Sequence, residues 1–160
     1  MSENAKPWVA LVVCLAIVFA VGMSGAPFAA HATKTWYRDI AKPSWTPPNW
    51  VFAPAWTALY AMMAAAAWLV WRRGGFAAQP VALGLFLVQL ALNGAWTPVF
   101  FGLGMLGWAL VVIALLWAAI LATMIAFFRA RAAAGWLMLP YFAWVSYAST
   151  LNYGVFVLNR

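Results

Sequence analysis

The sequence predicts an all-α membrane protein, a bundle of five transmembrane helices with a long first loop. Hydrophobic residues make up 68% of the 160 residues and charged residues only 7%, and the mean hydropathy is +0.92. These values lie outside the range of soluble globular domains. The few charges fall in short gaps, and the apolar runs between them are about 20 residues long, the length that crosses a bilayer. We therefore expect a single transmembrane domain over residues 1–160.

The first predicted span covers residues 7–28 and follows Lys6. Its start resembles a secretory signal peptide, since Ala30-His31-Ala32 has the small residues of a cleavage site. The apolar run is too long for the core of a cleaved signal, however, so we expect a retained helix. Gly22 and Gly25 on this helix would allow a neighbouring helix to approach closely.

A loop over residues 29–49 separates the first two spans and is expected to be non-helical. It carries Trp36, Tyr37 and Trp45 among its charges, and loops of this length commonly bind ligands. Pro47 and Pro48 cannot both lie inside a helix and force extended geometry on the residue before them. The second span should therefore begin directly after them, at residues 49–50.

The four remaining spans are predicted over residues 50–71, 78–101, 106–128 and 134–158. The second ends in Trp71, Arg72 and Arg73, the order of residues typical of a helix that crosses the membrane interface. Residues 102–104 are expected to form a tight turn between the third and fourth spans. Five spans place the two termini on opposite sides, with five Lys or Arg residues on one side and four on the other. This bias is too small to fix the orientation.

The spans contain no Asp, Glu, His, Lys or Arg, which argues against ion-coupled transporters and proton pumps. Hydrolytic catalysis is equally disfavoured, because the only carboxylic side chains are Glu3 and Asp39 and the lone His31 is expected in the loop. A solvated loop histidine is favoured there over a haem ligand. A single cysteine, Cys14, excludes an internal disulfide. The net charge of +7 is explained by lipid headgroups beside the spans, so we expect no nucleic-acid partner and no metal site.

Helical spacing brings aromatic and amide residues to common faces. Trp56, Leu59, Tyr60 and Met63 share one face of the second span, Gln89, Asn93 and Trp96 share one of the third, and Tyr141, Trp144, Ala148 and Leu151 share one of the fifth. Trp56 and Trp144 lie too deep for the aromatic belt of the interface. A cavity between these faces would suit a large planar hydrophobic ligand with a few polar edges. Aromatic packing and interhelical hydrogen bonds remain alternatives for the same residues.

Several motifs, taken in order, resemble the translocator protein family, also called tryptophan-rich sensory proteins or TspO/MBR. The resemblance covers nearly the whole chain. It rests on Trp36-Tyr37 followed by Lys42-Pro43, on W-x-P-P-x-W over 45–50, on W-T-A-L-Y over 56–60, on N-x-x-W-T-P-V-F-F-G over 93–102, and on P-Y-x-x-W over 140–144 with Leu151-Asn152.

The resemblance implies a five-helix bundle, usually dimeric, whose pocket lies beneath the first loop and binds tetrapyrroles such as protoporphyrin IX or haem, and benzodiazepine-type ligands. No obligatory cofactor is implied. We expect the homodimer to form through helix faces with small residues. Carried over by motif, the ligand-binding positions are Tyr37, Trp56, Asn93, Trp96, Trp108, Trp144, Ala148 and Leu151.

The resemblance also implies that the protein is a multi-pass protein of a bacterial cytoplasmic membrane, with an outer membrane as the alternative. A receptor or sensor of porphyrins, which regulates or transports them, is the favoured function. Light-dependent porphyrin breakdown, with Trp56 and Trp144 as candidate catalytic residues, and a lipid- or sterol-binding transport protein are the alternatives. The sterol motif of animal members is incomplete here, because six residues separate Tyr153 from Arg160.

Overall fold

The computed structural model describes residues 6–160, with side chains from Pro7 onward, so the charged side chains of Glu3 and Lys6 lie outside the described residues. All the long elements of the described chain are α-helices. The α-helices are α1 (Lys6–Ser24), α2 (Ala26–Ala32), α3 (Trp36–Asp39), α4 (Phe52–Trp71), α5 (Gly75–Ala78), α6 (Pro80–Thr97), α7 (Leu106–Ala130) and α8 (Ala132–Leu158).

Four helical stretches are long and apolar enough to cross a membrane: Pro7–Ala32, Asn49–Trp71, Pro80–Gly102 and Leu106–Ala130. These correspond to the first four predicted spans, with ends that differ by a few residues. The 27-residue α8 is as long as the others but less hydrophobic, because hydroxyl and amide side chains interrupt its apolar residues. The structure therefore supports four spans on length and composition, and the fifth span stays a prediction.

The first loop is shorter and more helical than the sequence suggested. Helix α2 continues the first span to Ala32, because Pro27 lies in its first turn, where a proline is tolerated. His31 is consequently an exposed residue of the last turn of α2 and not of the loop, which corrects the prediction. The predicted start of the second span is confirmed, since a 3₁₀ turn at Asn49–Val51 follows Pro48 and leads into α4.

The long helices pack in the ring order α1, α4, α8, α7, α6, and α6 closes the ring by contacting α1. Glycine makes the closest contacts possible: a methyl group at Gly22 would overlap the ring of Tyr60 on α4, and one at Gly25 would overlap Thr97 on α6. The predicted close approach at Gly22 and Gly25 therefore occurs within the chain. Both glycines allow helices of the same chain to pack closely.

The two ends of the bundle differ in structure and charge. At one end, here called the loop end, lie α3, the loop and a π-helical turn at Pro98–Gly102, which leads to a tight turn at Gly104 with a φ of 64°. At the other, the arginine end, the connections between helices carry Arg72, Arg73, Arg129 and Arg131. Among the described residues the only acidic side chain is Asp39, and it belongs to the loop end.

Candidate functional site

A small cavity, here called the inner cavity, lies between α4, α6, α7 and α8. Its lining side chains are Trp56, Tyr60, Asn93, Trp96, Thr97, Ile113, Leu116, Val145 and Ala148. Four of the predicted ligand-binding residues, Trp56, Asn93, Trp96 and Ala148, are thus on its wall. Trp144 lies directly behind Trp56, with their ring centroids 6.4 Å apart.

The amide of Asn93 is the polar centre of the inner cavity. Its Oδ1 accepts a hydrogen bond from the Tyr60 hydroxyl at 3.4 Å, and its Nδ2 donates to the Tyr141 hydroxyl at 3.0 Å. The Tyr60 hydroxyl also lies 3.3 Å from the backbone oxygen of Gly22. One amide therefore links α6 to α4 and α8, and because all three side chains are buried, this linkage fixes the position of the cavity wall.

An aromatic wall faces this polar centre. The Trp56 ring stacks on Tyr60 with a centroid distance of 5.3 Å and meets Tyr141 edge-on at 6.2 Å. The Trp144 Nε1 is buried and has no hydrogen-bond partner among the described residues. A buried N–H without a partner costs about 1–3 kcal/mol, so this indole is a donor available to an incoming acceptor.

A second amide completes the wall towards the loop end. The Trp96 Nε1 donates to Asn152 Oδ1 at 3.0 Å, and Asn152 Nδ2 lies 3.4 Å from the backbone oxygen of Leu106. Leu151 is buried beside Asn152 but is not part of the cavity wall. Trp108, at the start of α7, is 63% exposed and also lies outside the wall.

Tyr37 belongs to a separate aromatic cluster above the cavity. Its ring packs edge-on against Phe100 and Phe101 of the π-helical turn, with centroid distances of 6.0 and 5.1 Å. The Lys42 ammonium lies 4.9 Å from the same ring. Burial raises the pKa of the Tyr37 phenol, so it stays neutral at physiological pH. The cluster reaches the cavity through Phe100, which stacks on Trp96 at 5.0 Å.

The loop is fastened across the end of α8. The Ala41 N–H donates to Asn159 Oδ1 at 3.1 Å, and Asn159 Nδ2 donates back to the Ala41 oxygen at 2.9 Å. Pro43 packs directly on Gly154, where a methyl group would overlap the proline ring. The Tyr147 hydroxyl donates to the Trp45 oxygen at 2.7 Å. The loop thus covers the loop end of the site through three contacts with one helix.

The inner cavity is nearly closed in this structure. Its volume is about 20 Å³, which is room for about one water molecule, whereas ligand pockets commonly measure about 300–1,000 Å³. Within residues 6–160, no three side chains of His, Cys, Asp or Glu come together as metal ligands. The arrangement offers aromatic surface, one free indole N–H and two amides, which is chemistry suited to noncovalent binding.

Several wall residues were not among the predicted site residues. Tyr60 shares the predicted face of Trp56, so helical spacing could have included it. Tyr141 shares the face of Trp144 and is bonded to Asn93, although it does not line the cavity. The sequence did not indicate the wall residues Thr97, Ile113 and Leu116, because side chains of these types occur on any apolar helix. Their place on the wall depends on how α6 and α7 are rotated in the bundle, which packing determines.

Comparison with known proteins agrees with the motifs. The sequence profile of the TspO/MBR family matches residues 7–158. The chain is 44% identical to the human translocator protein over 138 residues, which cover 85% of this chain and 82% of the relative. It is 40% identical to the tryptophan-rich protein TspO of Chlorobaculum tepidum over 158 residues, or 96% and 98% of the two chains. It is 42% identical to the tryptophan-rich sensory protein of Cereibacter sphaeroides, over 84% and 85%.

Proposed function

Because the chain belongs to the TspO/MBR family and is an integral, multi-pass membrane protein, we propose that it is a membrane receptor or sensor that binds a tetrapyrrole in the inner cavity. Protoporphyrin IX and haem are the proposed ligands, and benzodiazepine-type compounds would compete for the same space. Regulation or transport of porphyrins would follow from this binding.

The observation that supports this proposal most strongly is the composition of the cavity wall. On this wall, flat indole and phenol rings from α4 and α6 surround the single amide of Asn93. A tetrapyrrole is a flat apolar ring with polar edges, so it can stack on Trp56 while its edge groups meet Asn93 or the free N–H of Trp144.

The small volume requires the cavity to open before a tetrapyrrole can bind. Two features of the fold allow such a change. Pro140 removes a backbone hydrogen bond within α8, one residue before Tyr141, and the loop is held to α8 by only a few hydrogen bonds. We therefore expect binding to release the loop from α8 and to be slower than diffusion.

Titration of the purified protein with protoporphyrin IX, followed by tryptophan fluorescence, tests this function. We expect saturable quenching, because several indoles line or adjoin the cavity. Trp144→Phe should weaken both the quenching and the affinity, whereas Trp136→Phe, which changes an exposed tryptophan at the opposite end of α8, should change neither. Binding of equal strength in the two variants would place the porphyrin elsewhere.

One observation favours a second function, the light-dependent breakdown of bound porphyrin. Trp56 and Tyr60 line the cavity and Trp144 packs against Trp56, so the three rings form a contiguous cluster of aromatic electron donors. Under this hypothesis an illuminated Trp56→Phe variant keeps most of its porphyrin affinity but no longer forms product. If parent and variant bleach porphyrin at the rate of free porphyrin in the same detergent, the protein is a binder only.

The five-span bundle and the homodimer belong to the same proposal. We place α8 as the fifth span, because it packs between α4 and α7 in the ring and its Tyr141 and Asn152 side chains hydrogen-bond to α6. For the dimer, α6 offers a small residue that no other part of the chain approaches, since a methyl group at Gly84 would meet no atom within 4 Å.

A further inference from the structure

A second apolar space, here called the outer crevice, lies at the arginine end, outside the helix ring. It measures about 470 Å³ and is open along one side. Side chains of α1, α4, α5 and α6 form it, among them Val9, Val13, Ile17, Trp71, Phe76 and Leu83. None of the residues that line the inner cavity takes part in it. The crevice is therefore a separate site.

The depth of the outer crevice matches one leaflet of a bilayer. On α1 its lining runs from Val9 to Val18. Nine residues of helix rise by about 13.5 Å at 1.5 Å per residue, and half of the roughly 30 Å hydrocarbon core is about 15 Å. The crevice thus begins at the membrane interface, where Trp71 and Phe76 lie, and ends near the middle of the bilayer.

The residues that follow the crevice lining at the arginine end are cationic. Arg72 and Arg73 follow Trp71 directly, and both are exposed. The Arg72 guanidinium lies 4.9 Å from the ring of Trp68. The Trp68 indole is itself held in place, since it stacks on Trp8 at 5.9 Å and donates to the Pro7 oxygen at 2.7 Å. Stacking of this kind orients a guanidinium but leaves its N–H donors free for a phosphate.

We infer that the outer crevice is a binding site for an anionic phospholipid, with one acyl chain along α1 and the phosphate at Arg72 and Arg73. An acyl chain matches a crevice that is apolar, open sideways and one leaflet deep. A phosphate supplies a negative charge for Arg72 and Arg73, whereas the one acidic side chain among the described residues, Asp39, lies at the loop end.

Native mass spectrometry tests this inference, with phosphatidylglycerol and phosphatidylcholine of identical acyl chains added to the delipidated protein. We expect one phosphatidylglycerol to be retained in preference to phosphatidylcholine, since each arginine near an anionic headgroup contributes about fivefold. Arg72→Gln/Arg73→Gln should remove most of this preference. Arg129→Gln/Arg131→Gln should not, because these arginines join α7 to α8 and no residue of that connection lines the crevice.

Filling the crevice provides the second arm of the test. Val13 lines the crevice and is 48% exposed, and the adjacent Val12 is 64% exposed on another face of α1. Val13→Trp should reduce retention of both lipids, whereas Val12→Trp should leave it unchanged. Equal retention in all variants would identify the lipid as unspecific annular lipid and overturn the inference. If Val13→Trp loses a dimer while its lipid retention is unchanged, a second copy fills the crevice. That result would also overturn the inference.

Discussion

The inner cavity and the outer crevice are both largely apolar, but they are built in opposite ways. The inner cavity has about 20 Å³ of space, and paired polar groups hold its wall together. The outer crevice has about 470 Å³, and its lining residues make no side-chain hydrogen bond to one another in the described structure. Buried hydrogen bonds between helices hold the side chains of the inner wall in the one arrangement seen in this structure. The outer crevice is shaped by packing alone and stays open on the side where lipid lies.

We expect the largest effect from the two amide side chains of α6, Asn93 and Gln89, because one is hydrogen-bonded to neighbouring helices and the other is not. In Asn93→Leu the buried Tyr141 hydroxyl loses its partner, whereas the Tyr60 hydroxyl keeps the backbone oxygen of Gly22, so we expect a loss of about 1–3 kcal/mol in the free energy of unfolding. Gln89, one turn away, is fully buried, and neither polar atom of its side chain has a partner among the described residues. Gln89→Leu should therefore be neutral within about 1 kcal/mol, or stabilising.

Unfolding in mixed detergent micelles, followed by circular dichroism, measures both variants on one scale. An equal loss in the two variants would mean that the Gln89 amide is as well paired as that of Asn93. The difference between the hydrogen-bonded Asn93 and the unbonded Gln89 would then be wrong.

A pair of glycine substitutions should have the next largest effect. A methyl group at Gly22 overlaps the Tyr60 ring on the inner side, whereas one at Gly84 meets nothing on the outer side. Gly22→Ala should destabilise the bundle by about 1–3 kcal/mol through overpacking, and in the monomeric chain Gly84→Ala should stabilise α6 by up to about 1 kcal/mol through helix propensity. Melting temperatures that move in opposite directions would agree with this account, and a fall of the same size in both would contradict it.

The loop should give the smallest effect. Asn159→Ala removes two hydrogen bonds to Ala41, each worth about 0.5–1.5 kcal/mol. Hydrogen exchange at residues 40–48 should become at least about fivefold faster, while exchange in α4 stays the same. Asn49→Ala, which changes an exposed residue of the same segment with no side-chain hydrogen bond in the described structure, is the control. Unchanged exchange in Asn159→Ala would show that Pro43 and Tyr147 hold the loop without it.

Much of this fold could be predicted from local sequence rules. Apolar runs located four spans, Pro47-Pro48 located the start of α4, and the faces of Trp56, Asn93 and Ala148 follow from helical spacing. The π-helical turn at Pro98–Gly102 and the ring order of the helices could not be predicted, because both depend on contacts between distant segments. The same limit explains Gly22 and Gly25, whose small size predicted a close contact but not which helix would make it.

The placement of the remaining predicted residues illustrates a further limit. Trp108 and Trp56 are both tryptophans near the loop end of a helix, yet one is 63% exposed and the other lines the inner cavity. The residue type is the same, but Trp56 lies further into its helix than Trp108, and the rotation of each helix about its axis also separates them. Tyr37 lies in the neighbouring cluster with Phe100, and Leu151 is buried without lining the cavity.

The central claim, that the inner cavity is the tetrapyrrole site, is tested most directly by protoporphyrin titration of two alanine variants of α8. Ala148 lines the cavity, and Ala143 is exposed on another face of the same helix. Ala148→Leu fills the space into which the ligand must expand, and overpacking of about 1–3 kcal/mol corresponds to at least about fivefold weaker binding. Ala143→Leu should bind as the parent does. If the two variants have the same dissociation constant while both remain folded, the porphyrin does not bind in the inner cavity.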